Sequence, residues 1–337
     1  MFFDFLPSLL NELILSKIIE EKYLRKKNIV IYKKEDLKYY FLQIGKELNN
    51  RLEDVLEVNL SEGITSLGDH VFSGCTSLVN IELPNSITSL GDYVFMNCTS
   101  LVNVKLPNSI TSLGDHVFSY CYSLVNIKLP EGITSLGDSV FYSCTSLVNI
   151  ELSSENSHSP VLHGHVKLPD SITNLGDSVF YNFKNLVNIE LPDSITSLGN
   201  NVFKYCYNLV NIKLPEGITS LGDYCFSNCK SLVNIKLPDS ITSLGNGIFE
   251  DCFSLVNIKL SDSITRLGHV SFTHCKSLVN IKLPDSITSL GNHVFYNCTG
   301  LETVYVSENS NFSRNKFPDN VKIITVLNKE PPALEKA

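Results

Sequence analysis

The sequence predicts an α/β repeat fold: a solenoid of stacked parallel strands, with a helical cap at its N-terminus and a β-type cap at its C-terminus. Three observations predict it. A 23-residue unit recurs along the chain, and its clearest copy, LVNIELPNSITSLGDYVFMNCTS, runs from Leu78 to Ser100. Cysteines keep that period at Cys75, Cys98, Cys121 and Cys144, then again at Cys206, Cys229, Cys252, Cys275 and Cys298. Within each copy the apolar positions are fixed, as at Leu232, Ile235, Leu237, Ile241, Leu244, Phe249 and Cys252. A fixed period of this length marks a repeat architecture. One copy cannot bury its own apolar faces, so neighbours must cover them and complete the strand hydrogen bonds.

Each unit reads as a short strand (LVNIKL), a turn at proline, a second short extended piece (SITSLG), and a turn or helical return ending at cysteine. The prolines at Pro84, Pro107, Pro130, Pro192, Pro215, Pro238 and Pro284 end the first strand because proline has no N–H to donate. The glycine column from Gly68 to Gly291 is expected to supply a positive φ at a turn. The pattern LxxIxLPxxIxxLGxxxFxxCxx resembles the BspA-like leucine-rich repeats, with Val, Ile, Cys or Ser before the phenylalanine where that family usually has alanine. The resemblance implies a leucine-rich-repeat solenoid. It also implies protein binding, often adhesion, in surface proteins of bacteria and protists.

Three parts follow. Residues 1–54 form an N-terminal helical cap or docking segment: Leu6, Leu9, Leu10, Leu13, Ile14 and Ile18 share one helical face, and Leu37, Tyr40, Phe41, Ile44 and Leu48 another. Asn28 to Tyr32 reads as a short strand between them. Residues 55–306 form the solenoid, with ten repeats and a final strand from Leu301 to Val306. Strand copies stacked about 4.8 Å apart make a body about 50 Å long. Phe183 lies 39 residues after Cys144 and 23 before Cys206, so one repeat carries an insertion, at about 153–167. Residues 307–337 are a C-terminal cap and tail. The insertion (SSENSHSPVLHGHVK) echoes SENSNFSRNKFPDNVK after Val306, and both read as hairpin-type excursions.

Composition excludes several function classes. The 337 residues carry 27 basic and 35 acidic side chains, a net charge of −8, which argues against general nucleic-acid binding. No apolar run is long enough to span a membrane as a helix. Nine of the ten cysteines fill one column, and Cys225 stands where other repeats have Val71, Val94, Val202 or Ile248. They read as buried free thiols that supply apolar bulk. No CxxC pair suggests zinc, and His158, His163 and His165 in the insertion lack completing ligands, so no metal or cofactor is expected. Reduced thiols, with no basic n-region or small-residue cleavage site in the opening segment, lead to a cytoplasmic expectation. The alternative is a secreted or cell-surface protein; N-x-S/T sequons stand at Asn59, Asn97, Asn297 and Asn311. No enzyme is expected. Catalysis needs a unique constellation, and here nearly every polar residue recurs with the repeat.

Two columns between the inward-facing strand residues mark the expected binding face, the concave sheet. One is asparagine, from Asn80 to Asn280, whose stacked amides can bond along the sheet. The next is charged: Glu82, Lys105, Lys128, Glu151, Glu190, Lys213, Lys236, Lys259, Lys282, then Tyr305. The candidate binding residues are Lys213, Lys236, Lys259, Lys282, Asn211, Asn234, Asn257, Asn280 and Tyr305, facing an acidic protein or glycan. The expected function is a non-catalytic protein–protein interaction scaffold. The alternatives are an adhesin that binds host or matrix proteins and a rigid structural spacer. The residues around each cysteine vary most (Tyr120, Tyr142, Lys204, Glu250, His274), and these belong to the turns and return limb.

Overall fold

The computed structural model describes residues 29–31, 57–60, 63–152, 163–308, 310 and 312–326. The two helices expected over residues 6–18 and 37–48 lie outside the described residues. The strand between them is present: Ile29–Ile31 pairs in parallel with Glu57–Leu60, Ile29 opposite Val58.

From there the chain winds as a parallel β-solenoid of about eleven turns. Every 23 residues it lays one strand on a wide sheet: Asn80–Glu82, Asn103–Lys105, Asn126–Leu129, Asn149–Leu152, then from Asn188–Glu190 onward to Asn257–Lys259; Asn280–Lys282 follows in a last, three-stranded sheet with Thr303–Ser307 and Lys322–Val326. The register never slips, with Ile81 opposite Val104 and Ile212 opposite Ile235. Slippage by one residue would turn the buried isoleucines out to solvent. Past the proline a two-residue strand (Ser89–Leu90, Ser112–Leu113 and their equivalents) joins a second, narrower layer, a seven-stranded sheet followed by a three-stranded one from Ser243–Leu244 on.

The return limb corrects the α/β expectation. It holds hydrogen-bonded turns and no α-helix; the one helical piece among the described residues is a 3-10 turn at Arg314–Lys316. Two residues per limb take left-handed backbone, as at His116 (φ 56°) and Tyr120 (φ 62°). A left-handed residue cannot continue a right-handed helix. The N–H groups instead reach the next rung: His116 donates to the Asp138 carbonyl at 2.7 Å, Phe118 to Val140 at 2.9 Å and Tyr120 to Tyr142 at 2.8 Å.

The core is a set of ladders. Eleven phenylalanine rings, from Phe72 to Phe295 and then Phe317, stack at 5.4–6.1 Å between centroids. The cysteines beside them are all free and buried. They supply more than bulk: Cys98 Sγ donates to the Phe72 carbonyl at 3.1 Å, and seven further column thiols repeat the bond. Burial holds the thiols protonated, pushing Cys75 and Cys144 up to about 12. Serines after the proline turn donate to the preceding rung's isoleucine carbonyl, as Ser86 does to Ile64 at 2.7 Å. The residue after each column glycine forms another ladder, its side chain accepting from the next backbone N–H: Asp92 accepts from Asp115 at 2.8 Å, and Asn200 from Asp223 at 2.8 Å.

The column glycines do not supply positive φ. That falls to non-glycine residues such as His70, Tyr93 and His116. The glycines are needed because the rungs approach closely there: a Cβ on Gly114 would lie 2.5 Å from Asp92 Oδ1 and 2.7 Å from the Gly91 carbonyl.

The insertion is a further correction. Residues 153–162 lie outside the described residues, but the chain returns as His165–Lys167, a full strand of the wide sheet. It pairs in parallel with Asn149–Leu152 on one side and Asn188–Glu190 on the other. The C-terminal excursion does the same, ending in Lys322–Val326, parallel to Thr303–Ser307. Neither is a hairpin, whose strands would run antiparallel. Gly164, at φ 79°, takes the place that Val125 holds elsewhere: its carbonyl accepts from Val187 and Asn188, as Val125 accepts from Val148 and Asn149. The narrow sheet gains no matching strand, since Asn174–Leu175 pairs directly with Ser135–Leu136. The wide sheet is therefore one strand longer at this point. Beyond the last turn, Arg314 donates to the carbonyls of Phe317, Pro318, Asp319 and Val321, closing the C-terminal loop over the ladder.

Candidate protein-binding face

The wide sheet alternates buried and exposed residues, so Asn–Ile–Lys strands point isoleucine inward and present the other two. The expected columns form. Glu190 lies opposite Lys213, Lys213 opposite Lys236, and Lys236 opposite Lys259. Lys282 continues the column in the last sheet, opposite Tyr305, which is half-buried and faces Ile324 on its other side. Lys213, Lys236, Lys259 and Lys282 are all exposed.

Sequence reasoning missed Lys167. The inserted strand places it in the same column, opposite Glu190. The signal is present: GHVKLPDSITNLG aligns with VNIKLPDSITSLG, but cysteine spacing alone hides it. With Lys167 included, the column from Glu82 to Glu190 holds three acidic and three basic residues. Several meet directly: Lys105 pairs with Glu82, Lys128 with Glu151 at 3.6 Å, and His165 Nε2 lies 3.8 Å from Glu190. From Lys213 on, all four positions are lysine. Of these, Lys236 reaches Glu216 at 2.6 Å, a contact that holds its ammonium above the ordinary lysine range. Among the described residues Lys213, Lys259 and Lys282 form no ion pair.

Glu216 belongs to a second stripe that sequence reasoning also passed over. The residues after the proline turn (Asp193, Glu216, Asp239, Asp262, Asp285) are exposed along the border of the lysine column. In this half the sheet thus carries a basic stripe beside an acidic one.

The amide column differs in the same way. Asn103 donates to Asn80 at 2.8 Å and Asn149 to Asn126 at 3.2 Å. Among the described residues Asn211, Asn234, Asn257 and Asn280 make no such bond; the first three are exposed and Asn280 is half-buried. Their amides are open to an outside partner. Of the insertion histidines His158 lies outside the described residues. No helix among the described residues is long and apolar enough to cross a membrane.

Comparison with known structures gives several solenoids of this type. A leucine-rich cell surface protein from Faecalibacterium prausnitzii is 23% identical over 90% of this chain and 83% of its own, with a TM-score of 0.54. The pneumococcal vaccine antigen PcpA is 18% identical over 80% of this chain and 68% of its own, with a TM-score of 0.50. A T. pallidum leucine-rich repeat protein is 31% identical over 51% of this chain and 76% of its own, with a TM-score of 0.45. No curated protein matches. The model of the BspA type leucine-rich repeat region matches residues 43–160, 163–249 and 197–324. The chain belongs to the BspA-type leucine-rich repeat family.

Proposed function

We propose that the chain is a non-catalytic protein-interaction scaffold that holds an acidic protein segment on the C-terminal half of its wide sheet. One observation carries this reading: the charged column changes from a balanced, ion-paired run to four consecutive lysines at Lys213, in a half where the neighbouring amides make no mutual hydrogen bonds. Repulsion between adjacent lysines, roughly 0.9 kcal/mol per pair at about 4.8 Å in water, is a cost that an acidic ligand relieves. The flanking carboxylates select a narrow ligand. A segment one chain wide can place its acids on the lysines, whereas a broad acidic surface would also meet Asp239, Asp262 and Asp285. Asn211, Asn234 and Asn257 supply donors and acceptors for its backbone.

The test is titration of a glutamate-rich 12-residue peptide against the protein and against the variant with Lys213, Lys236, Lys259 and Lys282 all changed to Glu. The expected loss is tenfold or more. Unchanged affinity would sink the reading.

A second reading concerns place rather than partner: display outside the cell, as a secreted or surface-attached binding protein. It is favoured by the description of the F. prausnitzii solenoid as a cell surface protein and of PcpA as a vaccine antigen. Cytoplasmic placement has no such support among the relatives. The buried thiols fit either compartment, since each is already engaged inside the core. Protease shaving of intact source cells decides: release of solenoid fragments supports display, and full protection opposes it.

A further inference from the structure

The return limb carries a second feature. Six tyrosines fall within four consecutive rungs: Tyr120 and Tyr122, Tyr142, Tyr181, then Tyr205 and Tyr207. Their rings form one continuous chain. Tyr142 and Tyr181 stack at 4.3 Å, and Tyr120 and Tyr205 meet them edge-on at 5.3 and 5.2 Å. Tyr122 and Tyr207 extend the two ends, edge-on at 6.0 and 5.9 Å. The cluster straddles the rungs where the wide sheet gains its extra strand.

The fold does not ask for these rings. The same columns hold Ser119, Ser227 and Thr273; Asn97, Asn182 and Asn228; and Thr76, Thr99 and Thr145. Tyr120 and Tyr205 sit at φ 62° and 64°, a conformation that favours asparagine and glycine and disfavours bulky residues. None of the six is fully buried, and Tyr122 is 43% exposed. Lysines frame the patch: Lys204 lies 4.5 Å from the Tyr224 ring centre and Lys230 4.7 Å from that of Tyr207, and Lys184 is exposed on the limb before that of Lys204. From phenylalanine to leucine, the return limbs of these four rungs and the next contain no carboxylate. The acids of the same rungs' ladder, Asp115, Asp138 and Asp177, accept from backbone N–H groups of the ladder.

We infer that this tyrosine patch is a second docking surface, separate from the lysine column, and that its occupant is a carboxylate-bearing protein segment. Tyrosine offers large contact area at low entropy cost and is enriched in binding hot spots. The three lysines, with no carboxylate on the limbs around them, give the patch its complementarity to acid. A peptide fits better than a sugar, because the Tyr142 and Tyr181 faces cover each other and leave no open face there for a sugar ring.

The test presents a 12-residue peptide library, with Asp or Glu at every third position and the rest random, to two proteins. One is the lysine-column variant (Lys213, Lys236, Lys259 and Lys282 to Gln), which leaves only the patch available. The other adds Tyr120→Asn, Tyr122→Thr, Tyr205→Asn and Tyr207→Thr, residues that the same columns carry elsewhere in the chain. The second protein should melt no lower than the first and bind the enriched peptides at least tenfold more weakly. Equal binding, or no enrichment on the first protein, would overturn the inference. Enrichment of neutral peptides, preference for an acidic polysaccharide, or a tyrosine-dependent dimer in sedimentation would each overturn its choice of occupant.

Discussion

The two halves of the wide sheet share one backbone, one register and one core, yet they present different chemistry. From Glu82 to Glu190 charges of both signs mix and pair, and amides such as Asn80 and Asn103 bond to each other. From Lys213 to Lys282 the column is lysine throughout, and the amides beside it stand apart. The stacking of Ile81 on Val104 and of Ile212 on Ile235 is the same arrangement. The solenoid therefore does not dictate what its exposed columns carry. The first half satisfies itself, and the second leaves its polar groups for something else.

The largest expected effect sharpens that comparison through pH. Each thiol ionises near 8.5 in an unfolded chain, while burial pushes Cys75, Cys144 and Cys298 up to about 12. A raised folded-state value means that the stability is fully present below about pH 8.5 and is lost as pH rises toward 12. The loss is roughly 1.4 kcal/mol per thiol per pH unit. Six cysteines lie beyond the insertion and four before it, so hydrogen exchange between pH 9 and 11 should show the C-terminal half opening first. Simultaneous opening would break the comparison.

Core truncation should make the halves equal. Phe95→Ala and Phe249→Ala each remove one ring from the same ladder and should each cost about 3–5 kcal/mol. Denaturant unfolding checks this; a clear gap between the two would mean that the halves differ inside as well as outside. Smaller again, Gly114→Ala and Gly222→Ala force a methyl against the neighbouring rung and should each cost about 1–3 kcal/mol. Gly132→Ala, with open space around its Cβ position, should stay within about 0.5 kcal/mol of the parent. The smallest effect belongs to salt. Screening should stabilise the lysine half by no more than about 1 kcal/mol relative to the paired half, read as a shift in local hydrogen-exchange protection.

Much of this was legible in the sequence, and the failures have physical causes. The positions of Leu232, Ile235, Phe249 and Cys252 name the core, because burial tolerates little variation at period 23. The left-handed positions were not legible. His70, Tyr93, Ser139 and Val270 share one backbone conformation and no side-chain property, so the turn imposes φ without selecting a residue type. Glycine misled for the opposite reason: Gly114 is there for want of space beside Gly91 and Asp92, not for its φ. The thiol bonds of Cys98 and its equivalents depend on where the preceding carbonyl points, which no spacing reveals. On the binding face the lysine column could be read directly. Lys167 could not, because its strand comes 16 residues after the last one and breaks the period used to find the others. The paired state of Lys236 depends on Glu216, 20 residues earlier, a contact made only once the rungs stack.

The most direct measurement is a hydrogen-exchange footprint of the full chain with and without a saturating glutamate-rich 12-residue peptide. The account predicts new protection at the strands Asn211–Lys213, Asn234–Lys236, Asn257–Lys259 and Asn280–Lys282, and none at Asn80–Glu82 or Asn103–Lys105. Equal protection of both halves, or protection of neither, would contradict it.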